Sequence, residues 1–251
     1  MTDQHEIDAV ATDLLSSLEI GNESSNEVDT LICDVGYGFP KEKKPRREKV
    51  NAVTRQIVNF LEWQVEASEN DPNKPLALVK VVGCHDNHTR SVLEDRTKAL
   101  LKTDKLPSHV VFTCNSLEDV CSPENNTTTK YIYLSPDAEE AVDPAKRPPS
   151  TVIIGMLIDR RVQPNRSRDR ALGLDFTPQR WALGECFAEI NPKEPLNVDC
   201  ILEGMQQWWW NCESGVSKES FIQAASQAIE HHAKRHPSRP IHLPAQSEKC
   251  H

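Results

Sequence analysis

Five short apolar runs lie along the chain, and longer segments with helical periodicity separate them. The runs are rich in Val, Ile, Leu and Tyr, which is typical of buried parallel strands. They cover residues 29–35, 76–82, 109–113, 131–134 and 151–159. Strands that alternate with helices in this way predict an α/β domain with a mostly parallel sheet flanked by helices.

The segments between and after these runs have apolar residues at helical spacing. We predict helices over residues 46–67, 89–101, 198–212 and 218–234, and a helical turn over 116–120. Residues 160–178 have no such spacing and are expected to be irregular. Three consecutive tryptophans, Trp208 to Trp210, cannot all face one side of a helix. We therefore expect two in the core and one half exposed, with stacking on a nucleobase as a weaker alternative.

Composition limits the class of protein. The chain has 251 residues, enough for one α/β domain with tails, and no apolar run approaches the roughly 20 residues of a membrane helix. Residues 1–27 are acidic and polar and resemble neither a secretory signal nor a mitochondrial presequence. We expect a cytoplasmic or nuclear protein whose eight cysteines stay reduced.

The ends of two predicted strands carry candidate chemistry. Leu134, Ser135 and Pro136 lie at the end of one strand, and Asp159 ends the next. In parallel sheets ligands bind just past such carboxyl ends. An arginine-rich segment, 160–170, follows at once, and further basic clusters occupy 41–49 and 234–239. The net charge of −9 argues against a nucleic-acid partner, but the cluster at 160–170 adjoins a strand end and favours a polyanion. The clusters at 41–49 and 234–239 are equally consistent with solvated faces and with a function.

Two other motifs are weaker. Gly36 and Gly38 follow the first strand, but a dinucleotide fingerprint would need a third glycine. Cys84, His85 and His88 could be metal ligands, but no second closely spaced pair accompanies them. We interpret this stretch as a polar loop before a helix and expect no metal site.

Several motifs in order resemble a known family. The chain reads Tyr-Leu-Ser-Pro-Asp at 133–137, Ile-Gly-Met-Leu-Ile-Asp-Arg at 154–160, and Leu-Asn-Val-Asp-Cys-Ile-Leu-Glu at 196–203. Their order and spacing resemble those of the Trm10 family of tRNA methyltransferases, within the SPOUT class. The resemblance covers residues 28–235. It implies a SPOUT-type α/β fold whose C-terminal part forms a trefoil knot.

The resemblance also implies an activity and a cofactor. Trm10-type enzymes use S-adenosylmethionine to methylate N1 of the purine at position 9 of tRNA, usually guanine and sometimes adenine. Asp159 would be the catalytic carboxylate, either as a base or by orienting the purine. The residues that would bind the cofactor are Leu134, Ser135, Pro136, Gly155, Ile158, Arg160, Leu183, Pro195, Leu196 and Asn197.

This chain departs from the family pattern at three positions and matches it poorly over residues 180–187. Met156 replaces the second glycine of a pair, Glu194 replaces a basic residue, and Asp199 replaces an asparagine. These departures leave open a second reading, in which a catalytically weak or inactive relative binds tRNA as a scaffold.

The resemblance and the charge pattern together predict the partners and the boundaries. We expect tRNA as the partner, no DNA, no membrane and a monomeric protein. The predicted organisation is a disordered tail over 1–27, a methyltransferase domain over 28–235 and a flexible tail over 236–251. The candidate RNA-binding residues are Arg46, Arg47, Arg55, Arg160, Arg161, Arg166, Arg168, Lys234 and Arg235.

Overall fold

A single parallel sheet organises the structure. The computed structural model describes residues 28–122, 131–158, 163–188, 190–194 and 196–237. Within them, six strands pair in parallel in the order β3-β2-β1-β5-β4-β6. The strands are β1 (Thr30–Asp34), β2 (Leu78–Val82), β3 (Val110–Phe112), β4 (Tyr131–Leu134), β5 (Thr151–Gly155) and β6 (Pro178–Gln179). The predicted α/β class with a parallel sheet is confirmed.

Seven helices connect and cover these strands in the described part of the chain. They are α1 (Lys43–Asn70), α2 (Asn87–Leu101), α3 (Leu117–Val120), α4 (Arg166–Gly173), α5 (Leu183–Cys186), α6 (Val198–Glu213) and α7 (Lys218–Arg235). The side chains of Asp86, Ser116 and Ser217 each accept a hydrogen bond from a backbone N–H in the first turn of α2, α3 and α7. These caps fix where the three helices begin.

Cores cover both faces of the sheet, which explains why most strand residues are apolar. Side chains alternate between faces along a strand, so neighbouring residues enter different cores. In β5, Val152 and Ile154 belong to a large core with α1, α6 and α7, whereas Ile153 belongs to a smaller one with α3 and α4. In β4, Tyr133 likewise faces the smaller core.

All three tryptophans of α6 are buried, so the expectation of one half-exposed tryptophan was wrong. Trp208 packs edge-on against Phe221 of α7, with ring centroids 4.9 Å apart. The indole N–H groups of Trp209 and Trp210 donate to backbone carbonyls, at 3.1 Å and 2.7 Å respectively. Neighbours surround α6 on several sides, so helical spacing does not force any of the three into water.

Two further expectations from the sequence were wrong. The segment 160–178, expected to be irregular, contains helix α4 and ends on Pro178, the first residue of β6. The signal for α4 was weak because Ala171 is its one fully buried apolar side chain. The strand expected to reach Asp159 ends at Gly155. The Met156 N–H donates the last hydrogen bond to β1, to Asp34 O, and the chain then turns away from the sheet.

The remaining fold expectations stay predictions. The expected N-terminal tail lies outside the described residues, as does the C-terminal tail from residue 238 onward. The trefoil knot is an expectation from the resemblance alone. Among the described residues, no helix has both the length and the apolar character needed to cross a membrane.

Candidate functional site

A pocket of about 280 Å³ opens at the carboxyl ends of β4 and β5. Its volume lies near the lower end of the range for small-molecule sites. Eight of the ten residues predicted to bind the cofactor line it: Leu134, Ser135, Pro136, Gly155, Ile158, Leu183, Leu196 and Asn197. The other two, Arg160 and Pro195, lie outside the described residues. Three separate stretches of sequence therefore converge on one cavity.

The first wall is the turn after β4. Ser135 is almost fully buried, and its Oγ hydrogen-bonds to Ser167 Oγ at 2.7 Å. Its backbone N–H donates to Gln179 O at 2.9 Å. Asp137 Oδ2 accepts from the Asn165 N–H at 2.7 Å, at the start of α4. These bonds hold the turn after β4 against α4 and β6.

The second wall is the end of β5, where Gly155 has no room for a side chain. A Cβ on Gly155 would lie 2.5 Å from Tyr37 Oη and 2.8 Å from Tyr133 Oη. The glycine therefore lets two tyrosine hydroxyls approach the strand from behind the pocket. Met156, the departure from the family's glycine pair, is buried in the large core, whereas Leu157 and Ile158 line the pocket.

The third wall combines α5 with the segment before α6. Gly184 allows close packing, because a Cβ there would lie 2.4 Å from Pro192 Cγ. Gln56 of α1 lines the pocket and accepts a hydrogen bond from the Asp199 N–H at 3.0 Å, which fixes the start of α6. Glu194, the second departure, also lines the pocket and brings a carboxylate there.

Apolar and polar groups are both available in this cavity. Leu134, Ile154, Leu183 and Ile201 offer apolar contact, as a purine ring requires. Polar side chains that line the cavity and could contact polar groups of a ligand include Gln56, Ser135, Asp137, Gln163, Ser167, Arg180, Glu194 and Asn197. A nucleoside with a short polar chain, such as S-adenosylmethionine, fits this mixture.

A buried ion pair, missed from the sequence, lies beside the end of β5. Asp34 is fully buried at the end of β1 and accepts from Arg170 Nε at 2.5 Å and Nη2 at 3.0 Å. It also accepts from Tyr133 Oη at 3.0 Å, and Tyr133 Oη hydrogen-bonds Tyr37 Oη at 2.7 Å. We call Asp34, Tyr37, Tyr133 and Arg170 the Asp34 network. A carboxylate at a strand end was the signal that singled out Asp159, and it applied equally to Asp34.

The two tyrosines of this network are held in their protonated form. Burial raises the pKa of Tyr37 to about 12. Burial, with the nearby Asp34 carboxylate next, also raises the pKa of Tyr133 far above its ordinary value. The guanidiniums of Arg166 and Arg170 lie 5.5 Å and 5.1 Å from the centre of the Tyr37 ring. Both hydroxyls can therefore serve as hydrogen-bond donors at neutral pH.

The candidate RNA-binding residues fall into separate places. Arg46 and Arg47 line an open groove of about 630 Å³ between α1 and α2, and Arg46 Nη2 donates to Thr89 Oγ1 at 2.9 Å. Arg55 is exposed on α1. The other residues that line the groove are Lys43, Val50, Asn51, His88, Val92 and Arg96.

The basic side chains of α4 and α7 differ in the contacts that they make. Arg168 pairs with Asp169 at 3.0 Å, and Arg166 hydrogen-bonds Gln163. Arg235 bonds buried Glu203 at 2.9 Å and so serves an internal contact, whereas Lys234 lies beside it on α7. The catalytic candidate Asp159, with Arg160 and Arg161, lies outside the described residues.

Comparisons with known proteins agree with the resemblance. No family model matches the chain. A tRNA (guanine(9)-N1)-methyltransferase of Debaryomyces hansenii is 26% identical over 115 residues, which is 45% of this chain and 31% of that protein. The chain thus matches about a third of the length of this curated relative.

Solved structures agree on the fold. The spTrm10 full-length–SAH complex superposes with a TM-score of 0.55 at 15% identity, over 80% of this chain and 96% of that one. The structure of spTrm10(74) gives 0.54 at 12% identity, over 83% and 97%. The chain has the fold of the Trm10 structures, and the resemblance drawn from its motifs is confirmed.

Proposed function

We propose that this protein is an S-adenosylmethionine-dependent tRNA methyltransferase that acts on N1 of the purine at position 9, usually guanine. One observation carries the proposal: three loops distant in sequence, each predicted to bind the cofactor, line one pocket at the carboxyl ends of β4 and β5. The named activity of the Debaryomyces hansenii relative supports it.

The pocket residues have defined tasks in this proposal. S-adenosylmethionine supplies an electrophilic methyl group on a sulfonium. The apolar side chains of Leu134, Leu183 and Ile201 would hold its adenine ring, and Asn197 would hydrogen-bond its polar groups. The hydrogen-bonded turn after β4 would hold the cofactor in one orientation and so fix the direction from which the purine approaches.

Asp159 keeps its proposed role from the resemblance. N1 of guanine carries a proton that must leave when the nitrogen is methylated. A carboxylate with a pKa of about 3.9 is a weak base for this step. Asp159 therefore acts either as an acceptor whose environment raises its pKa or as a hydrogen-bond partner that orients the base.

The proposed substrate is tRNA, and the protein is proposed to act as a monomer in the cytoplasm or nucleus without a DNA partner. Base 9 lies within the folded body of tRNA and has to be extruded to reach the pocket. The α1–α2 groove, with Lys43, Arg46, Arg47 and Arg96, supplies cationic groups for the phosphates. Affinity should therefore fall steeply with salt.

A second function is favoured by one observation. Glu194 brings a negative charge into the pocket, where the cofactor's own carboxylate would have to be accommodated. Repulsion between the two carboxylates would weaken cofactor binding. The protein would then act as a tRNA-binding scaffold with little or no methyl transfer.

Methyl transfer to unmodified tRNA transcripts tests both functions. Labelled S-adenosylmethionine measures transfer, a reverse-transcription stop maps the base, and calorimetry measures cofactor binding. We expect a stop at position 9 with the wild type, loss of transfer in Asp159→Asn, and no loss in Asp104→Asn, an exposed matched control. Intact tRNA binding without cofactor binding would refute the enzyme and favour the scaffold. Restored cofactor binding in Glu194→Lys would then identify the cause.

A further inference from the structure

Two histidines and an aspartate meet where α6 begins and α7 ends. Asp199 is fully buried in the first turn of α6, and His232 is 3% exposed in the last turn of α7. His236 follows one helical turn after His232, and the two rings stack with centroids 4.6 Å apart. One possible ligand atom from each of the three residues lies within 4.8 Å of the other two.

The polar atoms of this cluster are incompletely satisfied by the described residues. Neither His232 Nδ1 nor His236 Nε2, both buried, has a hydrogen-bond partner among them. His236 Nε2 lies 3.8 Å from Asp199 Oδ2, too far for a hydrogen bond. An unpartnered buried imidazole nitrogen is costly, so this arrangement indicates that another group belongs there.

The charge balance points to a cation. Asp199 accepts hydrogen bonds from two neutral donors, Asn59 Nδ2 at 2.8 Å and the Cys200 N–H at 3.0 Å. Arg235 Nε is 3.6 Å from Asp199 Oδ2, but Arg235 Nη2 donates to Glu203, a second fully buried carboxylate, at 2.9 Å. One guanidinium thus faces two buried carboxylates, and the further basic group at Glu203 is His231.

We propose that Asp199, His232 and His236 form a binding site for a divalent transition-metal ion of the Zn²⁺ type. Two imidazoles and one carboxylate form a ligand set that Zn²⁺ prefers, with water in the fourth position. Ligand atoms about 2.1 Å from a tetrahedral ion stand about 3.4 Å apart. The three atoms now lie within 4.8 Å of one another, so they have to move closer together when the ion binds.

The position of the site gives it a structural task. The ion would join the end of α7 to the first turn of α6, directly after Asn197, which lines the cofactor pocket. Gln56 lines the pocket too and bonds the Asp199 N–H. Metal binding would therefore stabilise the third wall of the pocket, which includes the segment before α6. This inference does not depend on the proposed methyltransferase activity.

Metal titration of the full chain, free of any purification tag and stripped with chelator, tests the proposal. Co²⁺ is followed by its visible absorption bands, and Zn²⁺ by competition with a chromophoric chelator. We expect one equivalent of Zn²⁺ per chain, a rise in Tm on adding it, and at least about tenfold weaker binding in His236→Gln. His109→Gln is the matched control and should bind like the wild type.

Two outcomes would overturn the site. One is an absence of stoichiometric binding by the wild type. The other is equal binding by the wild type and His236→Gln, which would place any ion elsewhere. His236 lies beyond the last helix, with 31% of its side chain exposed, so its substitution should leave the fold intact. Asp199→Asn, of the same shape, gives a second variant that should lose the Co²⁺ spectrum.

Discussion

Gly155→Ala tests whether the end of β5 is as closely packed as its surroundings indicate. The added methyl would lie 2.5 Å from Tyr37 Oη and 2.8 Å from Tyr133 Oη. Ordinary contact needs about 3.5 Å, so the hydroxyls or the strand must move by about 1 Å. Tyr133 is fully buried and bonded to Asp34, so it cannot swing into solvent.

The expected cost follows from overpacking a filled interior. We expect Gly155→Ala to lower the free energy of unfolding by about 1–3 kcal/mol. Urea unfolding followed by the fluorescence of the five tryptophans measures it. Because Gly155 lines the pocket, cofactor affinity should fall as well. Adding Tyr37→Phe removes one of the two clashing oxygens and should recover part of the stability.

Gly173→Ala is the matched control for this experiment. Gly173 ends α4, and a Cβ there would meet no heavy atom within 4 Å. Since alanine lowers the entropy of the unfolded chain, the control should be neutral or stabilised by about 0.4–1 kcal/mol. Equal unfolding free energies for Gly155→Ala and Gly173→Ala would refute the account of β5.

Three other predictions concern buried ionisable groups. Asp34→Asn should lower the free energy of unfolding, measured with urea, by about 3–5 kcal/mol, because it leaves the Arg170 guanidinium without its charged partner. A decrease below about 1 kcal/mol would contradict this. Burial raises the pKa of the Cys33 thiol to about 12, so this thiol should resist a disulfide reagent in the native protein, whereas half-exposed Cys114 should react; mass mapping of the labelled cysteines decides it. Burial lowers the pKa of His232, so its stabilising contribution is present above the unfolded pKa of about 6.5 and is lost as the pH falls below it. In chelator, the urea midpoint should drop between pH 7.5 and 5.5, and less so in His232→Gln.

Strand positions could be predicted from the sequence because both faces of this sheet are buried. In β5, for example, Val152, Ile153 and Ile154 are all apolar, and no alternation had to be interpreted. Helix α4 could not be predicted in the same way. Its arginines serve the Asp34 network or the surface, and its short length leaves one buried apolar side chain, Ala171, as a signal. Polar helices of this kind are fixed by tertiary ion pairs, which a linear pattern does not display.

The loops that line the pocket could be predicted from the sequence, whereas the ion pairs around the pocket could not. Motif spacing identified the three loops that converge on it, including Leu134 and Asn197. The Asp34 network joins β1 to α4, whose residues are more than a hundred positions apart in sequence. The sequence pattern around Asp34 and Arg170 does not indicate that the two side chains pair, so their contact is seen only in the folded structure. The same applies to Asp199 and His236.

The pocket and the Asp34 network are structurally coupled, because Gly155 contacts both. One side of this residue lines the cavity, and the other contacts the hydroxyls of Tyr37 and Tyr133. The Met156 N–H, one residue on, donates to Asp34 O at 2.8 Å. A shift of Asp34 therefore moves the strand end that the cofactor would contact, without any direct contact between Asp34 and the ligand. Asp34→Asn should therefore weaken cofactor binding, whereas a similarly destabilising change away from the pocket, such as Leu93→Ala in α2, should leave it unchanged under folding conditions.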